Sequence, residues 1–468
     1  MKIGLRFLGA AQNVTGSRYL LESNDTRLLV DCGLYQERDF RARNWEPFAV
    51  APESIDAILL THAHLDHSGF LPRLLREGFR GKVYCTAATS EIAQIALLDS
   101  AHVLAEDAKF KKKRHDEEGR KGPYPEVPLY TERDATDCAP LFKPVPYGQP
   151  IEAGRGIHAI FHDAGHIFGS SMITVTVTAN GQERKILFSG DIGRRDKPIL
   201  RDPTVFTEAD YVIMESTYGN RNHEDPRAKD EMLADAINST RKAGGNVVIP
   251  SFAIGRAQEL LYHINNLLLE RKIPRLMTFI DSPMAIRVTE VFKHFPQLYD
   301  KEMAEMVREG HSPFSFRCLK MADSVSDSKA INHIRGTVII IAGSGMCTGG
   351  RIKHHLVQNI GRPESTVLFV GYQAQGTLGR EIMEGEKEVR ILGQPRRVKA
   401  KIVQIHGFSA HADRDELLEW ISTLKKPPRH VFVTHGEEEA AHAFAEVLGR
   451  KHKWDISVPE YKEQVVLD

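Results

Sequence analysis

Few cysteines, no excess of charge and no long apolar run together exclude several protein classes. The five cysteines, Cys32, Cys85, Cys138, Cys318 and Cys347, are widely spaced, odd in number and without a C-x-x-C. That pattern argues against a disulfide framework and fits reduced thiols in a cytoplasmic protein. No apolar stretch approaches the ~18 residues of a membrane span, and the opening MKIGLRFLGAAQNVTG lacks the apolar core of a signal peptide. Lys+Arg and Asp+Glu each total 62, for a formal net charge of +0. Any polyanionic partner therefore has to be recognised by a local site rather than by bulk charge. What the chain has is size: 468 residues, 41% of them hydrophobic, exceed what one core usually serves, so two domains are expected.

The first 60 residues read as short strands, KIGLRFLGA, SRYLLES, TRLLVDCG and IDAILLTHA, separated by Gly, Asn and Asp turn signals. SGFLPRLLREG has helical spacing that stops at Gly78, and a longer helical run is expected from about residue 89 to 113. Residues 109–140 are charged and carry prolines, and read as an irregular surface insertion or, alternatively, a basic lid. Strands resume with IHAIFHDA, SSMITVTVTA, KILFSGD and YVIMEST. From about residue 220 three units share one design: GGNVVIPSFAIGRAQELL, GTVIIIAGSGMCTGGRIKHHL and STVLFVGYQAQGTLGREI. Each is a continuous apolar strand followed by a small-residue turn, the mark of buried parallel strands whose turns gather at one sheet edge. After about residue 400 the strands KAKIVQIHGF and HVFVTHG flank the helix RDELLEWISTLKK.

The densest chemistry lies in THAHLDHSG. His62, His64, Asp66 and His67 place four potential metal ligands in six positions between an apolar strand and a helix. Imidazole and carboxylate suit zinc and similar ions, and four such groups exceed what one catalytic ion with an open position requires. Further ligands stand where other strands end: His166 in DAGHIFGS, Asp191 in FSGDIG and His435 in VFVTHGE. His62, His64 and His166 would hold one ion and Asp66, His67 and His435 a second, with Asp191 bridging.

H-x-H-x-D-H followed by G-H, S-G-D and a late T-H-G-E resembles the metallo-β-lactamase superfamily. Glu215 in VIMESTYG, His411 in HGFSAHAD and His435 in VTHGE further resemble three motifs of the β-CASP nucleases. That group includes the cleavage-and-polyadenylation endonuclease and its bacterial and archaeal homologues. IPSFAIGRAQELL, DSPMA, GSGMCTGGRIKHHL and GYQAQGTLGREI extend the similarity over nearly the whole chain. The resemblance implies an α/β fold: an αββα metallo-β-lactamase sandwich over 1–219 and 400–468, with an inserted β-CASP domain of parallel sheet and helices over 220–399. It also implies that a histidine at the third motif goes with RNA rather than DNA.

The expected activity is zinc-dependent hydrolysis of single-stranded RNA by a metal-bound hydroxide, endonucleolytic and, as a second mode, 5′-to-3′ exonucleolytic. Two Zn2+ ions about 3.5–4 Å apart would lower the pKa of a shared water and clamp the phosphate. His411 would protonate the leaving 3′ oxygen, held by Glu215, and Asp66 would additionally hold the nucleophilic water. Ser251, Arg256, Ser344, Gly345, Gly350, Gln375, Gly376 and Arg380, in the small-residue turns, are the candidates for cradling substrate phosphates in a cleft between the domains. A compact bacterial-type enzyme, monomer or homodimer, is expected. The alternatives are a DNA-acting β-CASP nuclease and a non-catalytic RNA-binding scaffold. GSGMCTGG as a dinucleotide loop and Cys347 as a nucleophile are weaker readings, because neither has the accompanying residues such roles need.

Overall fold

The structure is a computed structural model that describes residues 2–122, 124–179, 181–223 and 229–468. It divides into two compact units, one of residues 1–197, 201–222 and 411–468, the other of residues 198–200 and 223–410.

The first unit is built on two seven-stranded sheets among the described residues. Ile3–Phe7, Tyr19–Ser23 and Thr26–Val30 pair antiparallel, after which Ala57–Leu59 and Lys82–Cys85 add in parallel. The inward side chains of both sheets, among them Leu5, Phe7, Leu28, Phe161, Val175, Phe188 and Ile213, form one continuous core. Helices cover the outer faces: Leu417, Trp420 and Phe444, from Arg414–Ile421 and Glu438–His452, pack on the far side of the second sheet. The result is the αββα layering that alternately buried strands require.

Strand direction in the second sheet explains where the chemistry collects. Gln182–Phe188, Tyr211–Glu215 and His430–Thr434 are parallel. Ile157–Asp163 is antiparallel to Ser171–Ala179, which is itself antiparallel to Gln182–Phe188, so it too runs with the other three. All four therefore end at one edge, and His166, Asp191, Glu215 and His435 lie at or just beyond those ends.

The second unit carries an all-parallel six-stranded sheet among the described residues, ordered Leu319–Met321, Met277–Asp281, Val338–Ala342, Val247–Pro250, Thr366–Phe369, Lys401–Gln404. Its central strands are apolar on both faces, as expected of a sheet covered by helices on both sides. Because every strand points the same way, the turns beginning at Ser251, Gly343 and Val370 share one edge.

Two local expectations need correction. The helix expected over about 89–113 runs as Ala87–Glu118, so residues 114–118 of the charged segment are helical as well; Pro123 of the same segment lies outside the described residues. Lysine, arginine and glutamate favour helix on their own, and the pairs Lys113–Glu117 and Arg114–Glu118 stand at i,i+4, so this exposed stretch needs no apolar stripe. Thr86 caps the start by accepting from Thr89 N–H at 3.1 Å, and Gly119, at φ 62°, closes the end. The chain also leaves the second unit later than residue 399, because Lys401–Gln404 is a strand of that unit's sheet. The break falls between residues 410 and 411.

Ile340 is 1% exposed on the Val338–Ala342 strand. Ile340→Ala removes three buried carbons from a sheet that cannot collapse around the loss, and is expected to lower stability by about 2–5 kcal/mol in chemical denaturation.

Candidate active site

The first cluster forms at the end of Ala57–Leu59. Thr61 N–H donates to Asp31 Oδ1 at 2.7 Å, which stops the strand from continuing and turns the chain into the short helix Leu65–Ser68. His62 and His64 precede that helix, while Asp66 and His67 lie on it. His62 Nε2 stands 3.1 Å from His64 Nδ1, and His166 Nε2 stands 3.3 Å from the same atom. On the other side His67 Nε2 lies 3.0 Å from His435 Nε2, with Asp66 Oδ2 3.6 Å from that nitrogen.

Asp191 joins the two groups. Its Oδ2 lies 3.4 Å from His62 Nε2 and 3.3 Å from His166 Nε2, whereas Oδ1 lies 3.2 Å from His67 Nε2 and 3.5 Å from His435 Nδ1. All seven residues singled out as ligands in the sequence therefore meet in two sets, His62, His64, His166, Asp191 and Asp66, His67, His435, which a third grouping of Asp191, Glu215 and His435 links.

The electrostatics match a divalent cation. Burial holds His62 neutral, with help from the neighbouring His67, and brings its pKa down to about 3. His64 and His166 are pushed down for the same first reason. Burial would raise the carboxyl groups of Asp66 and Asp191, but the surrounding imidazoles outweigh it and both stay ionised. Burial opposes charging His67 and His435 as well, yet Asp191, with Asp31 for the one and Asp66 for the other, carries both up, so a zinc-like ion would displace their protons to reach the neutral imidazoles and ionised carboxylates it takes as donors. Asp191 Oδ1 is moreover buried and receives no hydrogen bond, an acceptor that a cation would satisfy.

Glu215 and His411, the expected acid–base pair, stand at the same edge. Glu215, the last residue of its strand, accepts from Ile192 N–H at 2.6 Å and from Thr217 N–H at 3.3 Å. Its Oε2 also lies 3.1 Å from His411 Nδ1. His411 is laid along the loop after Asp191 by a bridge to Gly193 and by Ala412 N–H donating to Ile192 C=O at 2.8 Å. His411 Nε2 then faces Asp191 Oδ2 at 3.8 Å. Burial opposes charging this imidazole, yet Glu215 and then Asp191 prevail and carry its pKa up to about 10.

Several residues with structural claims on this site were not singled out from the sequence. Asp31 Oδ2 lies 2.7 Å from His67 Nδ1, and Thr61 Oγ1 lies 3.0 Å from His62 Nδ1. Thr217 Oγ1 lies 3.1 Å from His435 Nδ1. Asp31 in LLVDCG ends a strand just as Asp191 does in FSGD, and that position was the available signal. The threonines carry no signal that would separate them from ordinary strand residues. His435 itself has φ 47° and Asp31 φ 59°, left-handed conformations that cost a non-glycine residue roughly 1–2 kcal/mol. His435 is held there by its N–H on Ala10 C=O at 2.7 Å and its C=O on Ser216 N–H at 3.1 Å.

The candidate phosphate-cradling residues all belong to the second unit. Ser251 is buried with its hydroxyl on Phe252 C=O, and Ser344 Oγ accepts from Gly349 N–H at 3.2 Å. Gly350 has φ 74° and packs on Gly343 C=O, so no side chain fits there. Gly345 lies against the Phe252 ring. Gly379 N–H donates to Met346 C=O at 3.2 Å, tying the 371–379 turn, with exposed Gln375 and Gly376, to the 343–350 loop. Arg380 pairs with Glu384 at 2.6 Å and Arg256 with Glu259 at 3.1 Å. The buried glutamine of the turn is Gln373, two residues before Gln375, and it was not among the expected residues. Cys347 is fully buried, with its thiol pushed up to about 12 by burial, which makes it packing rather than a nucleophile.

Comparison with known proteins agrees along the whole chain. Residues 20–215 match the metallo-beta-lactamase superfamily domain, 257–382 the Beta-Casp domain and 395–459 the Zn-dependent metallo-hydrolase RNA specificity domain. A ribonuclease of Thermus thermophilus is 38% identical over 98% of this chain and 98% of its own. The transcription termination factor FttA of Methanosarcina mazei is 32% identical over 95% of this chain and 69% of its own. A crystal structure of a protein of unknown function from Enterococcus faecalis V583 superposes with a TM-score of 0.58 at 11% identity, over 100% of both chains, a likeness of fold alone. With these domains in this order on this donor set, the chain belongs to the β-CASP family of the metallo-β-lactamase superfamily and is a metal-dependent RNA hydrolase.

Proposed function

We propose that this protein is a two-zinc ribonuclease that hydrolyses internal phosphodiester bonds of single-stranded RNA. The observation that carries this is Asp191, each of whose oxygens faces a different pair of imidazoles while His411 stands beside one of them. His62, His64, His166 and Asp191 Oδ2 would hold one ion, and Asp66, His67, His435 and Asp191 Oδ1 the other. When bound, such a pair lowers the pKa of water and neutralises charge on the phosphate.

The chain's own groups supply the rest. Asp66 is 18% exposed at its side chain, against 1% for Asp191, so it is the carboxylate able to reach an entering water and take its proton. Water oxygen bonds to phosphorus, the bond from phosphorus to the 3′ oxygen breaks, and the electron pair leaves on that oxygen. His411, whose Nδ1 is engaged by Glu215, delivers the Nε2 proton there, giving a 3′ hydroxyl and a 5′ phosphate. Asp31 acts through His67: by engaging Nδ1 it leaves Nε2 as the donor atom and sharpens its basicity.

Chelation is expected to abolish cleavage of a labelled single-stranded RNA, and zinc to restore it. Products from the interior of both 5′-phosphorylated and 5′-hydroxylated RNA support the endonuclease, whereas stepwise release from the 5′ end of the phosphorylated form alone identifies a 5′-to-3′ exonuclease instead. Equal cutting of single-stranded DNA would transfer the reading to a DNA-acting enzyme. His411→Ala is expected to lower kcat by about 10²- to 10⁴-fold with zinc content unchanged, measured by single-turnover cleavage and metal analysis. Asp31→Asn is expected to weaken zinc binding by about 10- to 100-fold in competition with a chromogenic chelator.

A further inference from the structure

Among the described residues, Phe252 and Tyr372 stand out in the second unit because they are aromatic, exposed and sited where its parallel strands end. They are 40% and 58% exposed. A lone exposed aromatic needs no explanation, since much of any protein surface is apolar. Phe252 differs in having a seat built for it. An added Cβ on Gly345 would meet Cδ2, Cε2 and Cγ of its ring at 2.8–3.0 Å, and one on Gly371 would meet Cε2 at 3.4 Å. One flank of the ring thus rests on two glycines from two different turns, while the rest of it faces solvent. The same two glycines are tied together by one buried side chain, for Gln373 Nε2 donates to Gly345 C=O at 2.9 Å and to Gly371 C=O at 3.2 Å. Gln373 is 1% exposed, and Gly379 leaves it the space it occupies. Tyr372 follows Gly371 directly and shares the turn.

We propose that Phe252 and Tyr372 form a nucleobase-stacking subsite for single-stranded RNA, with Gln373 as the residue that fixes its floor. The inference rests on the RNA-hydrolase reading and adds to it where the bases go. The surroundings select the occupant. Among the described residues the same two turns also carry Ser344, Thr348 and Gln375, polar groups better suited to a nucleotide's sugar and phosphate than to an apolar protein partner. A nucleobase needs only one flat ring and tolerates polar neighbours for its sugar and phosphate, and every base has a π face. An aromatic held from beneath also loses little freedom on stacking, which is what a glycine floor provides. Stacking of this kind discriminates weakly among bases, in keeping with an enzyme that reads strand and backbone rather than sequence.

The test pairs a protein change with an RNA change. Steady-state cleavage by the zinc enzyme is measured on a short single-stranded RNA and on copies each carrying one abasic nucleotide at successive positions. For the wild type, one or two abasic positions are expected to raise KM by about 5- to 150-fold. Phe252→Ala is expected to raise KM for intact RNA by a similar factor and to make those positions insensitive to base removal, a coupling that general loosening of the loop would not give. Phe252→Trp restores the wild-type pattern and Phe252→Leu does not. An unchanged KM for Phe252→Ala, equal losses at every abasic position, or full rescue by leucine would each overturn the stacking subsite. A wild-type enzyme inert on RNA would instead overturn the reading beneath it, and that is seen before any variant is compared.

Discussion

A single carboxylate organises the site. Asp191 is 1% exposed and lies within 3.8 Å of ring nitrogens from His62, His67, His166, His411 and His435. A charge taken so far out of water costs several kcal/mol unless it is compensated. Five imidazoles from four segments of the sequence surround it, of which His67, His411 and His435 are pushed toward the charged form and supply the compensation. The same anion favours a cation between its neighbours and supports the charge on His411, so the proposed proton donation would draw on the same group as metal binding.

That arrangement depends on topology more than on any local motif. Four strands of the second sheet point the same way, and each delivers one side chain at or just past its end. The ligands consequently span residues 62 to 435 although several nitrogens approach within about hydrogen-bonding distance of one another. Supporting groups keep them from rearranging: Asp31 on His67, Thr61 on His62 and Thr217 on His435 each engage the ring nitrogen opposite a donor atom. The second unit repeats the principle with different chemistry. Its all-parallel sheet gathers small-residue turns at one edge, and there Gln373 stitches two of them beneath Phe252.

Ionisable residues at strand ends were legible in the sequence because they break a hydrophobic pattern. His62, His64, Asp66, His67, His166, Asp191 and His435 could be named and grouped from that alone, and the structure brings them together. Residues that act through another residue were not legible. Thr61 and Thr217 look like any strand-end threonine, and Asp31 shares the strand-end position of Asp191 but has no neighbouring histidine in the sequence to mark it. Gln375 drew attention and Gln373 did not, because only the fold shows which of two nearby glutamines points inward. The helix runs past its expected end where charge replaces periodicity, since residues 114–118 are held by propensity and i,i+4 pairs rather than by a buried stripe. The strand at Lys401–Gln404 was assigned to the wrong side of the return because pairing partners, unlike strand propensity, are not written locally.

The central claim is that Asp191 joins two ions in one catalytic unit, and zinc titration into the chelator-stripped protein tests it most directly. Bound zinc and single-turnover RNA cleavage are read at each addition, for the wild type and for Asp191→Asn. The account predicts two equivalents bound by the wild type, with cleavage rising as the second is filled, and loss of both tight binding and cleavage in the variant. Full cleavage at one equivalent, or an Asp191→Asn protein that binds and cleaves normally, would contradict it.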